Sequence, residues 1–375
     1  MLESDTYYIM KITDINITGY EWNRPKPLRN GKYTYPKGGI AVITIDTDNG
    51  VYGLGITGGV TIIPFGIIKA FIDEFKPILI GENPFDVEKI WAQLWAPKVV
   101  GRRGLSTKII SLIDIALWDI RGKATNQPLH KLLGGYQESI PVYLAGGYYE
   151  EGKTLSDLSS EMSSYVELGV TSVKMKIGGA SITQDIERVR IARDAIGPDV
   201  NLMVDANNAY TYSEAIRIAK RLEEFDIFWF EEPVAPDDYR GHKLVADATS
   251  IPIAAGENEF TRYGFRDLIE GQCVAILNPD AQVLGGITEF MKVAALAQAY
   301  NLPISPHGLQ ELHIHLATAI PNGMILEYYN STTDPMWGKC FKQHLALEEG
   351  YAIPSSDPGL GIELDTQGLK PYKIL

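Results

Sequence analysis

A chain of 375 residues exceeds what one hydrophobic core ordinarily organises, about 250 residues, so two packed units are expected. Apolar residues at 45% and charged residues at 22% are ordinary for a globular protein and exclude extended disorder. The net charge of -13 argues against nucleic-acid and anionic membrane partners, which need clustered Lys and Arg, and no span reaches the roughly 18 apolar residues of a membrane helix.

The N-terminal Met1-Leu2-Glu3-Ser4-Asp5 is acidic and no apolar run of signal-peptide length follows it, which predicts a cytoplasmic protein. Cys273 and Cys340 fit that reduced setting as structural filler. Strands are expected over 8–19, 39–47 and 50–56, the last two joined by Asp48-Asn49-Gly50, where Asn-Gly supplies positive φ. Between them, residues 20–38 read as a polar, aromatic and basic lid loop, with Tyr20 and Trp22 as substrate contacts. Helical periodicity follows over 66–77, 84–96 and 106–122, where Ile109, Leu112, Ile113 and Ala116 share one face. Residues 1–135 therefore read as an α+β unit.

From about 136 the pattern becomes a strict alternation of short apolar strands and amphipathic helices. Strands are expected to begin near Ile140, Ser172, Asn201, Ile227, Ile253, Val274, Leu302 and Met324, with helix caps at Ser156 and Ser213. Eight consecutive units predict a closed (β/α)-barrel over 136–340 rather than an open doubly wound sheet. Residues 341–375, rich in Pro and Gly, read as an extended segment returning to the first unit.

Active-site groups of such a barrel sit at the C-terminal strand ends, and here those ends are nearly all ionisable. Strand two ends Lys174-Met175-Lys176, three Asp205-Ala206-Asn207, four Glu231-Glu232-Pro233, and five Gly256-Glu257-Asn258. Strands six, seven and eight add Asp280, His307 and Glu327. Burying so many charges at one rim is costly unless they act together. Asp205, Glu231 and Glu257 would repel one another without a cation, and an all-oxygen set favours Mg, with Mn the alternative, over Zn. Strand alternation turns Glu232 away from that set. Lys174 and Lys176 share one strand face, where like charge is expected to lower the pKa of each toward a general base. Asp280 is placed to orient the His307 imidazole. His130, His242, His313, His315 and His344 read as structural or surface residues.

Taken together, these residues resemble the mandelate racemase subgroup of the enolase superfamily over nearly the whole chain, down to the closing Pro358-Gly359-Leu360-Gly361-Ile362-Glu363. The resemblance implies a modified (β/α)7β barrel under an N-terminal capping domain, and Mg bound by Asp205, Glu231 and Glu257. It further implies Lys176 as the base removing the proton α to a substrate carboxylate, with Lys174 lowering its pKa and touching the carboxylate. His307, oriented by Asp280, would face the other side of the substrate. A protonated Glu327 would donate to the carboxylate, and Asn207 would touch a substrate hydroxyl. Family members form homo-oligomers from dimer to octamer. The expected partner is a small-molecule carboxylate: an aldonate or related sugar acid to be dehydrated through a metal-stabilised enediolate to a 2-keto-3-deoxy acid, because the lid is polar, or a 2-hydroxy acid to be racemised or epimerised. A barrel that only binds a carboxylate would need neither the lysine pair nor the dyad.

Overall fold

The computed structural model describes residues 9–59, 63–330 and 336–375, so the acidic Met1–Asp5 segment lies outside it. Strands β1 (Ile12–Arg29), β2 (Thr34–Thr47) and β3 (Tyr52–Gly59) form one antiparallel sheet in that order. The span read as a lid loop is thus mostly strand: β1 and β2 stay paired from Ile12↔Thr47 to Arg29↔Thr34, with an irregularity between Asn23 and Leu28. Alternating side chains put Tyr20 and Trp22 on the inner face of that ribbon, 5% and 2% exposed. At the β2–β3 turn Gly50 takes positive φ (83°) and Asn49 does not, unlike the two-residue turn expected from Asn-Gly.

Helices α1 (Phe65–Leu79), α2 (Val87–Leu94), α3 (Pro97–Val100), α4 (Leu105–Thr125) and α5 (Leu129–Leu132) follow. Ile109, Leu112, Ile113 and Ala116 of α4 all pack in the first core, with Ile43, Ile72 and Ile90. The sheet approaches α4 so closely that a Cβ on Gly55 would lie 2.0 Å from the Leu112 carbonyl oxygen. The helix is buried on nearly every side because the second unit covers its other face.

That unit alternates β4 (Ile140–Gly146), α6 (Leu155–Val166), β5 (Ser172–Lys176), α7 (Ile182–Ile196), β6 (Asn201–Asp205), α8 (Tyr212–Leu222) and β7 (Ile227–Glu231). It continues through α9 (Tyr239–Ala248), β8 (Ile253–Ala255), α10 (Thr261–Glu270), β9 (Ile276–Leu277), α11 (Ile287–Ala299), α12 (Gln310–Ala319) and β10 (Leu326–Tyr328). Capping boxes start α6, α7 and α8, but the caps are Thr154, Ser181 and Thr211. Ser156 and Ser213 lie inside the first turn instead, because Thr154 and Thr211 already receive the N3 amide.

All barrel pairings are parallel, and β10 closes on β4 through Leu326↔Val142. The strand expected near Leu302 shrinks to bridges of Ile304 with Leu277 and Gly323. Pro303 and Pro306 flank it and supply no ladder N–H, so it cannot lengthen. Seven helices separate the eight strand positions, which is the (β/α)7β arrangement. Tyr143, Met203, Trp229 and Ile276 fill the barrel axis.

The chain then forms a hairpin of β11 (Ala346–Glu348) and β12 (Tyr351–Ile353), with β12 antiparallel to the start of β4. A short helix, α13 (Thr366–Leu369), leads to the terminus, where the Ile374 N–H donates to the Gly19 carbonyl at 2.9 Å. Buried Asp119 of α4 ties three segments together, accepting from the Leu54 N–H (2.8 Å), the Leu360 N–H (2.9 Å) and Lys123. Among the described residues no helix is long and apolar enough to cross a membrane.

Candidate active site

Parallel strands ending together deliver their last side chains to one rim. β5 brings Lys174 and Lys176, β6 Asp205, β7 Glu231 and β10 Glu327, all buried. The loops after β8, β9 and Ile304 bring Glu257, Asp280 and His307. One carboxylate oxygen from each of Asp205, Glu231 and Glu257 lies within 4.8 Å of the others. Glu257 Oε2 is buried and, among the described residues, accepts no hydrogen bond, with only the His307 Nε2 ion-pair contact at 3.4 Å beside it. Three hard carboxylate donors in that space fit Mg or a similar ion. Glu232 stands apart at a left-handed φ of 43°, its carboxylate accepting from the amides of Asn208 (2.8 Å) and Asn258 (2.7 Å). Asn207 (φ 43°) and Asn208 (φ 62°) are also left-handed, and both line the cavity. Non-glycine residues in this conformation cost about 1–3 kcal/mol each and are often found at functional sites.

The lysines compensate the acids directly. Lys174 Nζ lies 2.8 Å from both Glu231 Oε1 and Glu327 Oε1 and 3.7 Å from Asp205 Oδ2, and Lys176 Nζ contacts the same Asp205 oxygen. Burial by itself would lower the pKa of both lysines, but Glu231 and Glu327 around Lys174, and Asp205 beside Lys176, reverse this and hold both above the usual lysine range. The expected depression by like charge does act, Lys174 lowering Lys176, but the carboxylates outweigh it. A cation engaging Asp205 would withdraw that support from Lys176.

Glu327 also departs from expectation. Burial favours its protonated form, yet Lys174, His307 and Lys176 outweigh burial and hold it ionised, well below the usual carboxylate range. Its Oε2 accepts from the Gly308 N–H at 2.9 Å, as a carboxylate does.

His307 directs Nδ1 at Asp280 Oδ2 (3.1 Å) and Nε2 toward Glu257 Oε2 (3.4 Å) and Glu327 Oε2 (3.9 Å). Burial would lower its pKa, but Glu257, Glu327 and Asp280 push it up to about 10. Asp280 is fixed in turn by the Gln282 N–H at 2.7 Å. Neighbouring His313 accepts the Ala281 N–H at Nε2 (2.9 Å) and faces the Leu309 carbonyl with Nδ1, so it is neutral and buttresses this turn.

Lys176, Asn207, Glu257, Asp280 and His307 line one cavity of about 510 Å³ between barrel and capping sheet. Its capping wall includes Asn30, Tyr33 and Tyr35 from the tip of the β1–β2 ribbon, and Thr57. Tyr20 and Trp22 do not reach it: they pack in the hydrophobic core, so their expected substrate contact is corrected. The ribbon tip is wedged onto the barrel, where a Cβ on Gly31 would lie 2.5 Å from the Ile177 oxygen and 2.6 Å from that of Ala206. Sequence reasoning missed Tyr143 and Trp229, which support Lys174 (3.3 Å) and Glu231 (2.9 Å) from the barrel axis. Trp229 precedes Glu231 by two residues on one strand face, a signal that was available. It also missed Lys108 on the cavity wall, which no motif marks.

Residues 12–134 match the family described as mandelate racemase / muconate lactonizing enzyme, N-terminal domain, and residues 157–368 match the enolase C-terminal domain-like family. An arabinonate dehydratase of Saccharolobus solfataricus is 34% identical over 344 residues, covering 89% of this chain and 90% of that protein. A 3,6-anhydro-α-L-galactonate cycloisomerase of Streptomyces coelicolor is 34% identical over 331 residues, covering 88% and 90%. The crystal structure of L-talarate/galactarate dehydratase from Salmonella typhimurium LT2 liganded with Mg and L-lyxarohydroxamate superposes with a TM-score of 0.91 at 30% identity, covering 100% of this chain and 96% of that one.

Proposed function

Because this chain belongs to the mandelate racemase/muconate lactonizing enzyme family of the enolase superfamily, we propose that it dehydrates a sugar acid to a 2-keto-3-deoxy acid, beginning with removal of the proton α to the carboxylate. One observation carries the reading: Lys176 and His307 face one cavity beside three converging carboxylates. A divalent cation held by Asp205, Glu231 and Glu257, with Mg the ion in the liganded Salmonella relative, would supply positive charge to offset the charge developing on the substrate carboxylate. Lys174, fixed by Glu231 and Glu327, keeps a buried ammonium beside that carboxylate.

Lys176 accepts the α-proton once Asp205 no longer holds its ammonium form. The C–H electron pair is first held in the substrate carboxylate as an enediolate and then returns to form the Cα–Cβ double bond as the β-hydroxyl leaves, with His307, protonated and oriented by Asp280, giving that hydroxyl the proton with which it departs as water. The enol product then tautomerises to the keto acid. Asn207 Oδ1, buried and without a hydrogen-bond partner among the described residues, is available to a substrate hydroxyl. The polar wall of Asn30, Tyr35, Thr57 and Gln282 suits a polyhydroxylated chain better than an apolar group.

Racemisation or epimerisation of a 2-hydroxy acid is the second reading, since a proton returned by His307 to the α-carbon uses the same pair. The cycloisomerase relative shows a third kind of product on this scaffold. Screening sugar acids and hydroxy acids with Mg in heavy water separates these outcomes. Dehydration gives a 2-keto acid; a stereoisomer formed without keto acid from any sugar acid would overturn the choice.

A further inference from the structure

The cavity has two chemically different ends. At the barrel end each cation has an acid partner: Lys176 has Asp205, and His307 has Asp280 and Glu257. Lys108, in the first turn of α4, lines the capping side and is half-buried, and among the described residues no carboxylate lies within ion-pair distance of it. Its neighbours on that wall are neutral, including Thr57, Gly58, Pro64 and Leu105. The helix start beside it has Gly104 as N-cap and no side-chain cap, so first-turn N–H groups add positive potential there. A half-buried ammonium that the protein leaves unpaired on a ligand-sized cavity is a cation kept for the ligand. The reacting carboxylate belongs at the opposite, metal-binding end, and the acids there would repel a second anion.

Resting on the sugar-acid reading above, we infer that Lys108 binds an anionic group at the far end of the substrate, and that the preferred substrates are aldarates, sugar acids with a carboxylate at both ends. An aldonate places a neutral hydroxyl there and leaves the ammonium unmatched.

The test is the affinity of the Mg-loaded protein for galactarate and glucarate against galactonate and gluconate, with 6-phosphogluconate as a phosphate-ended probe. It is measured by calorimetry on wild type, Lys108→Met and Lys108→Arg. A charge-assisted contact predicts diacids bound about 10–100-fold more tightly than the matched monoacids by wild type. Lys108→Met should erase that preference and leave monoacid affinity unchanged, and Lys108→Arg should keep most of it. In turnover the loss falls on KM for diacids, with kcat retained. Equal affinity for diacid and monoacid, equal weakening of both in Lys108→Met, no binding of any diacid, or a tighter, Lys108-dependent fit of 6-phosphogluconate would each overturn the assignment. Because the readout is binding, a Lys108-dependent diacid preference without any α-proton exchange would sink the proposed reaction and leave this inference standing.

Discussion

Replacing Lys176 by Met tests the heart of the site, because two of its roles predict opposite changes. As the base it contributes the 10²–10⁴-fold of a positioned proton acceptor, so α-proton exchange should fall at least that far. As the partner of Asp205 it competes with any cation for that oxygen. A hydrogen bond between charged groups is worth about 1.5–3 kcal/mol, so removing it should tighten Mg binding by about 10–150-fold, or leave it unchanged where Asp205 relaxes onto Lys174, now 3.7 Å away. Calorimetric titration of chelator-treated protein gives the affinity, and proton NMR in heavy water gives the exchange rate. Exchange within tenfold of wild type removes Lys176 as base. Mg binding weakened tenfold or more would show instead that the ammonium organises the carboxylates rather than competing for them.

Lys174→Met strips the cation from between Glu231 and Glu327, and a broken buried pair costs about 3–5 kcal/mol; urea denaturation should show that loss without Mg, with about 2.7 kcal/mol regained at 100-fold excess over Kd, and a stability insensitive to Mg would contradict it. His307→Asn should keep Mg binding and α-proton exchange but lose keto-acid formation by about 10²–10⁴-fold, so exchange abolished along with dehydration would reassign the base. Trp22→Ala should cost about 3–5 kcal/mol as a core truncation, and a raised KM at unchanged stability would return Trp22 to the substrate. Burial raises the carboxyl of Asp114, which accepts from Thr288 across the interface of the two units, from 3.8 to about 7. The folded state therefore holds a proton that the unfolded chain releases above about 4, so this contribution is greatest at low pH and about 4 kcal/mol is lost as pH rises toward 7. In Asp114→Asn the Tm should decline less over that window than in wild type, and parallel profiles would refute the shift.

What the sequence disclosed of the fold follows from periodicity. Apolar runs bounded by polar turns placed the strand starts near Ile140, Ser172, Asn201, Ile227 and Ile253, where those strands begin, while the expected strand ends run two to three residues too far in β6, β7 and β8. Register was less visible. Residues 20–38 carry Pro25, Pro27 and several charges and so looked like a loop, yet they pair as a ribbon, with Tyr20 and Trp22 buried in the core that barrel residues share. Composition could not reveal that buried face, since the core that takes it combines residues of the capping sheet with residues far along the chain.

The site was legible to the extent that strand ends are shared. Knowing that eight strands finish at one rim is enough to bring Lys176, Asp205, Glu231 and His307 together, and the structure does so. Protonation states were not legible, because they depend on which neighbour is nearest rather than on which are present. The sequence sets Lys174 beside Lys176, but the fold sets Glu231 and Glu327 at 2.8 Å from Lys174. Those contacts outweigh burial, holding both amines above the usual lysine range and Glu327 below the usual carboxylate range. Asp205, which holds Lys176 protonated, and Glu231, one of the two acids on Lys174, belong to the set a cation would engage. A cation held by Asp205 would loosen the contact that keeps Lys176 protonated, so the metal dependence of α-proton exchange should follow the occupancy of Asp205.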